Sequence, residues 1–148
     1  MQKLNFPQYT FRIKSNENKL FIFDFIRKKD VVLTPEEWVR QHFLMHLVQE
    51  KKYPASLIAV EKKLTLNTLT KRTDIVVYNT LAQPEIIIEC KAPEVKISQE
   101  VFDQIARYNI KLKANYLVVS NGLEHYFCKM NFQEETYIFL KDIPNYLN

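Results

Sequence analysis

Glycine is almost missing from this sequence: Gly122 is the only one in 148 residues. A chain so poor in glycine carries no Gly-rich phosphate loop, dinucleotide fingerprint or flexible linker, so any phosphate chemistry needs another device. Cysteine is nearly as scarce. Cys90 and Cys128 lie in apolar, strand-like stretches and form no CxxC or Cys/His cluster. That argues against a disulfide framework or a structural zinc site and fits a reducing cytoplasm. No run approaches the roughly 18 uninterrupted apolar residues of a membrane span, and the start lacks a basic segment followed by an apolar one. Neither a spanning nor an exported protein is expected. Strong charge of one sign is absent too: 21 Lys and Arg against 17 Asp and Glu leave +4, which permits a polyanionic partner without requiring one.

What is present is apolar patterning. With 47% hydrophobic residues and 13% aromatics, the chain supports the core of one domain. Residues 9–14 and 20–26 alternate or run apolar around Ser15-Asn16-Glu17-Asn18, which predicts a β-hairpin. The basic run Arg27-Lys28-Lys29 reads as a solvated turn. Thr34-Pro35-Glu36-Glu37 is a helix start, with an N-cap threonine, proline at the first position and glutamate at the third. The helix is expected to continue to about Lys51, ahead of Pro54. Strands are expected at residues 56–66, 73–78 and 85–91, the last two joined by the short connection 79–84. Ser98 caps a second helix to about Lys113, with Val101, Ile105, Tyr108 and Leu112 as the face packed on the sheet. Two strands around Asn121-Gly122 follow, then a tail with a short strand and a helical turn. The fold class is α/β (α+β): a mixed central sheet flanked by helices, with an N-terminal hairpin. The expected organisation is one domain, with a hairpin extension at 1–30, a core at 31–130 and a tail at 131–148.

The chemistry points to one place. The apolar run Ile86-Ile87-Ile88 ends in Glu89-Cys90-Lys91, two charges that a buried strand end tolerates poorly. Residues i and i+2 of a strand share a face, so Glu89 and Lys91 converge, and Asp74 opens the preceding strand where pairing brings it beside Glu89. Two carboxylates on a rigid sheet with an ammonium alongside suit a hard divalent cation, Mg²⁺ or Mn²⁺, with the backbone carbonyl of Cys90 as a further ligand. Such a cation polarises a phosphodiester and acidifies water, while Lys91 orients or deprotonates that water or offsets transition-state charge. The bland alternative is a structural ion-pair cluster at a strand end.

These residues resemble the PD-(D/E)xK nuclease signature, with Thr73 in place of the usual proline before Asp74. Gln104 and Tyr108, four apart on the second helix, resemble the Gln-x-x-x-Tyr element of the RecB-like branch. The run from Leu33 to Arg40, Arg72-Thr73-Asp74, Glu89 to Pro93, Gln104 to Tyr108 and Ser120-Asn121-Gly122 is similar to the N-terminal nuclease domain of type I restriction enzyme R subunits. The resemblance implies a restriction-endonuclease-like fold and a Mg²⁺- or Mn²⁺-dependent endodeoxyribonuclease. Asp74 and Glu89 become metal ligands, Lys91 the catalytic lysine, and Glu37, Gln104 and Tyr108 auxiliary catalytic residues, with Glu37 a candidate further ligand. Arg40, Arg72 and Arg107 become contacts to DNA phosphates. DNA is the implied partner, together with a second copy of the chain or a separate motor or specificity subunit. No Walker motif is present in the sequence, so cleavage driven by ATP-dependent translocation is not expected.

Several bland readings stand beside these. Thr34 and Glu37 satisfy a capping-box pattern, which leaves Glu37 a purely structural task. His42 and His46 are four apart, as in zinc-binding pairs, but no third ligand is evident. Glu61 reads as an exposed strand residue or as one more site carboxylate. The alternative function is a non-cleaving nucleic-acid-binding or partner-docking module that keeps the nuclease fold.

Overall fold

The structure, a computed structural model, describes residues 1–147. The N-terminal hairpin forms, but its strands are β1 (Ile13–Asn16) and β2 (Lys19–Asp24), and a third, β3 (Lys29–Val32), completes a small antiparallel sheet. Residues expected in the first strand do other work. Tyr9 and Phe11 join Phe6 and Trp38 around the His42 ring, since aromatic packing outweighs a strand edge with no further partner.

Helix α1 (Pro35–Met45) starts as its sequence requires, with Thr34 Oγ1 accepting from Glu37 N at 3.0 Å, and its last turn, His46–Glu50, is π-helical. Strands β4 (Ile58–Leu66), β5 (Leu69–Tyr78) and β6 (Pro84–Cys90) follow. Then come helix α2 (Gln99–Asn109), continued by a 3-10 turn at Ile110–Leu112, and strands β7 (Tyr116–Ser120), β8 (His125–Asn131) and β9 (Thr136–Leu140). The six strands form one mixed sheet in sequence order, and only β6 and β7, which α2 connects, run parallel. This is an α+β, restriction-endonuclease-like architecture. A crossover helix between parallel neighbours forces the carboxyl ends of β6 and β7 to open beside it.

One side of the sheet packs Ile75, Val77, Ile86 and Ile88 on Val39, Phe43 and Leu47 of α1. The other packs Val76, Ile87 and Leu117 on Phe102, Ala106 and Ile110 of α2. The β6 interior is thus buried on both faces, which is why its apolar residues do not alternate.

Two expectations need correction. Of the expected α2 face, Ile105 and Leu112 pack with the sheet, but its centre is Phe102 and Ala106, and Tyr108 is 41% exposed. The small Ala106 lets the helix approach closely, which turns Tyr108 outward. The hairpin expected around Asn121-Gly122 forms, with a four-residue loop closed by Ser120↔His125. Asn121 Oδ1 accepts from the backbone N–H of Leu123 and Glu124, and Gly122 takes the positive φ of 86°. Residues 141–147 contain no helical turn.

A further feature sits at the β4–β5 hairpin. Glu61, opposite Asp74, has φ 54°, a left-handed conformation rarely adopted by glutamate. Val60 packs with the α1-side core, whereas Leu64, which shares its face in a regular strand, packs with the α2-side core. The hairpin therefore rotates at Glu61 and Asp74, and its distal part leans over α2.

Candidate active site

Asp74 and Glu89 sit where β5 and β6 separate, just beyond the Ile75↔Ile88 pair. Asp74 Oδ2 accepts from Cys90 N at 2.7 Å and Asp74 Oδ1 from Arg40 Nη2 at 3.1 Å, so both oxygens are fixed. Glu89 is 7% exposed and forms an ion pair with Lys71. Its burial, opposed by Lys71 and reinforced by the charge of Asp74, pushes the carboxyl up to about 7. Two acidic groups thus share a partly dry place that favours positive charge.

Lys91 follows directly on the end of β6. Its N–H donates to Ser120 O at 2.8 Å, extending the β6–β7 pairing, and Asn121 Nδ2 donates to Val95 O at 2.9 Å, bracing the loop after it. The Lys91 side chain forms no ion pair among the described residues. It lines an open cleft of about 480 Å³ with Thr70, Lys71, Arg72, Val101, Gln104, Ile105 and Tyr108. Gln104 and Tyr108, chosen from sequence by their spacing, therefore share the cleft with Lys91. Tyr108 presents its ring to the Lys71 ammonium, 5.4 Å from the centroid.

Glu37 and Arg40 occupy a different layer. Glu37 does not close a capping box with its carboxylate. It accepts from Arg27 Nη2 at 2.8 Å, Arg40 Nη1 at 2.5 Å and Gln41 Nε2 at 3.0 Å. Arg40 is only 4% exposed. Burial alone would lower its pKa, but Glu37 and Asp74 hold it firmly charged. The expected phosphate contact by Arg40 needs correction on that ground: its buried guanidinium is engaged by Glu37 and Asp74. Arg72 is exposed in the cleft, but Arg107 lies in a separate hollow with Asp103, Lys111, Glu135 and Tyr137.

Three residues carry more than the sequence suggested. Arg27, expected in a solvated turn, pairs with Asp24, Glu37 and Glu61. Glu61 reaches Arg27 at 3.4 Å and Arg40 at 3.9 Å, so it belongs to the same network. Lys71 was missed because ordinary strand alternation separates residues 71 and 74 onto opposite faces, and only the rotation at Glu61 brings both to the site. Its one visible signal was closeness to Asp74 in a polar strand segment. The two histidines serve elsewhere: His42 Nδ1 contacts Trp38 O at 2.8 Å, and His46 pairs with Asp142 at 3.2 Å.

Among the described residues, no three His, Cys, Asp or Glu side chains gather as a metal-holding group. The fit to a divalent cation is that of a carboxylate pair, Asp74 and Glu89. Their oxygens are hard donors suited to Mg²⁺ or Mn²⁺ with water completing the shell. Burial pushes the Cys90 thiol well up, which disfavours the thiolate as a ligand.

The family model for the type I restriction enzyme R protein N terminus matches residues 35–144. The chain belongs to this family. Its members supply a restriction-enzyme domain, and the nuclease-like fold described above agrees with that membership. No curated protein matches the chain. The matched span includes α1, the whole six-stranded sheet, the acidic pair, Lys91 and α2, and no helix is long and apolar enough to cross a membrane.

Proposed function

We propose that this chain is a Mg²⁺- or Mn²⁺-dependent DNA nuclease that hydrolyses phosphodiester bonds in the cleft between the β5–β6 ends and α2. The observation that carries the reading is Lys91, without an ion-pair partner among the described residues, in one cleft with Gln104, Tyr108 and Lys71, the last of which pairs with Glu89. Asp74, Glu89 and the Cys90 carbonyl hold the cation. When bound, the cation supplies Lewis-acid polarisation of the phosphodiester and acidifies water.

The remaining steps belong to the chain's own side chains. Lys91 holds the attacking water or offsets charge on the phosphoryl oxygens. Gln104 and Tyr108 position the strand, and Arg72 contributes a charge-assisted phosphate contact. Glu37 acts at one remove: it holds Arg40, which fixes Asp74 Oδ1. A second copy of the chain, or a separate motor or specificity subunit, is part of the same proposal.

One observation favours the non-cleaving module instead. Lys71 and Arg40 already neutralise both carboxylates, which leaves the pair internally satisfied. Incubation of supercoiled DNA with Mn²⁺ separates the readings. Wild type is expected to nick it, and Lys91→Ala to lose roughly 10²- to 10⁴-fold in rate with stability unchanged. Asp74→Asn keeps an acceptor for Cys90 N and should abolish Mn²⁺ binding in calorimetry. Wild type that binds DNA yet shows neither Mn²⁺ binding nor cleavage establishes the module reading.

A further inference from the structure

The β4–β5 hairpin extends past its sheet. β5 pairs with β6 only from Ile75 onward, so its residues before Asp74 pair with β4 alone. From Lys62↔Thr73 to Leu66↔Leu69 the two strands form a ribbon about 15 Å long. Leu64 anchors the ribbon on the α2-side core.

The charges on this ribbon are of one sign. Between residues 62 and 73 the sequence has Lys62, Lys63, Lys71 and Arg72 and no Asp or Glu. Lys63 and Arg72 are cross-strand partners, both exposed, so two like charges stand directly opposite each other on one face. Such a pair opposes strand association unless an anion lies over it. Neither side chain has an ion-pair partner among the described residues. The next pair on that face is Thr65 and Thr70, whose hydroxyls are 3.2 Å apart and supply further donors. At its base the ribbon delivers Lys71 and Arg72 into the cleft beside Lys91.

Resting on the nuclease reading, we propose that this ribbon is an arm that grips the sugar–phosphate backbone of duplex DNA as its scissile phosphate enters the cleft. The dimensions agree: a two-stranded ribbon fits a B-DNA major groove about 12 Å wide. Phosphates supply the anions that the Lys63/Arg72 pair lacks, and the continuous path to Arg72 and Lys91 aligns the strand with the acidic pair. Contacts of this kind orient the duplex without reading bases.

The test is fluorescence anisotropy of a labelled duplex in EDTA across a salt series, with Mn²⁺ cleavage measured in parallel. Lys63→Ala/Arg72→Ala is compared with Lys28→Ala/Lys29→Ala, which removes the same charge from the small sheet. The ribbon variant should bind at least tenfold more weakly and lose about 2 from the log–log salt slope, with its Tm equal or higher because the like-charge pair is gone. The control should change affinity less than twofold. Unchanged affinity and slope in the ribbon variant overturn the arm even if wild type cleaves DNA, and so does equal weakening by the control. Ribbon-dependent binding without cleavage sustains the arm and removes the hydrolase reading.

Discussion

Glu89→Gln should make the metal-free protein more stable, and only at neutral and alkaline pH. In the folded chain the Glu89 carboxyl titrates at about 7 against an ordinary value of 4.5. Between those limits the folded state holds a proton that the unfolded state has released. The folded state therefore binds more protons, and stability falls as pH rises through that window and levels off above it. At about 1.4 kcal/mol per pH unit the loss reaches about 3 kcal/mol above pH 7. The neutral amide of the variant carries no such penalty, and Lys71, half-buried with Tyr108 beneath it, remains able to face the cleft water.

The magnitude is an upper bound, because the pull of Lys71 is already contained in the wild-type value and the variant gives up that ion pair. For a domain of this length, about 3 kcal/mol corresponds to roughly 6–12 °C in Tm. Thermal melts in EDTA should show Glu89→Gln and wild type together near pH 5, separating progressively to pH 8, with the variant higher. Addition of Mn²⁺ at pH 8 should raise the wild-type Tm and leave the variant unmoved, since a cation that binds only the folded state stabilises it by mass action. A Tm difference independent of pH, or a variant less stable at pH 8, refutes the picture of a carboxyl held against its ionisation.

Two stability predictions address the surroundings. Arg40→Ala leaves the buried Glu37 and the partly buried Asp74 without their shared cation and should cost about 3 kcal/mol by urea denaturation, partly recovered when Glu37→Gln is added. Gly122→Ala meets a backbone φ of 86° and places a Cβ 3.0 Å from side-chain carbons of Leu4 and Val39; a cost of about 1–2 kcal/mol is expected from the left-handed conformation alone, read as a lower urea midpoint with an unchanged slope.

The parts of this fold legible in the sequence were those where one force dominates. The start of α1 follows from local hydrogen bonding by Thr34, and β6 from an apolar run that ends abruptly in charge. The pairing of Asp74 with the Glu89 end followed from strand geometry and a short connection. Less legible were features set by tertiary competition. Tyr108 reads as part of an apolar stripe, but the close approach at Ala106 decides which face of α2 is buried. Arg40 reads as a surface cation because only the folded chain gathers Glu37, Glu61 and Asp74 around it. Lys71 depends on a backbone irregularity at Glu61 that no residue preference announces, since glutamate has no tendency toward positive φ.

That network also bears on why the small sheet accompanies the larger one, although the family match begins only at residue 35. Asp24 is fully buried; it accepts from Arg27 Nε at 2.6 Å and from Gln41 Nε2 at 2.9 Å. Arg27 then holds Glu37, Glu37 holds Arg40, and Arg40 holds Asp74. Each link is a charge-assisted contact between groups largely removed from water, where loss of one partner leaves the next uncompensated. The turn after β2 is therefore joined to the acidic pair by an unbroken alternation of charges. Because α1 alone cannot supply the cation between Asp24 and Glu37, Asp74, the carboxylate proposed as a metal ligand, is oriented jointly by both sheets.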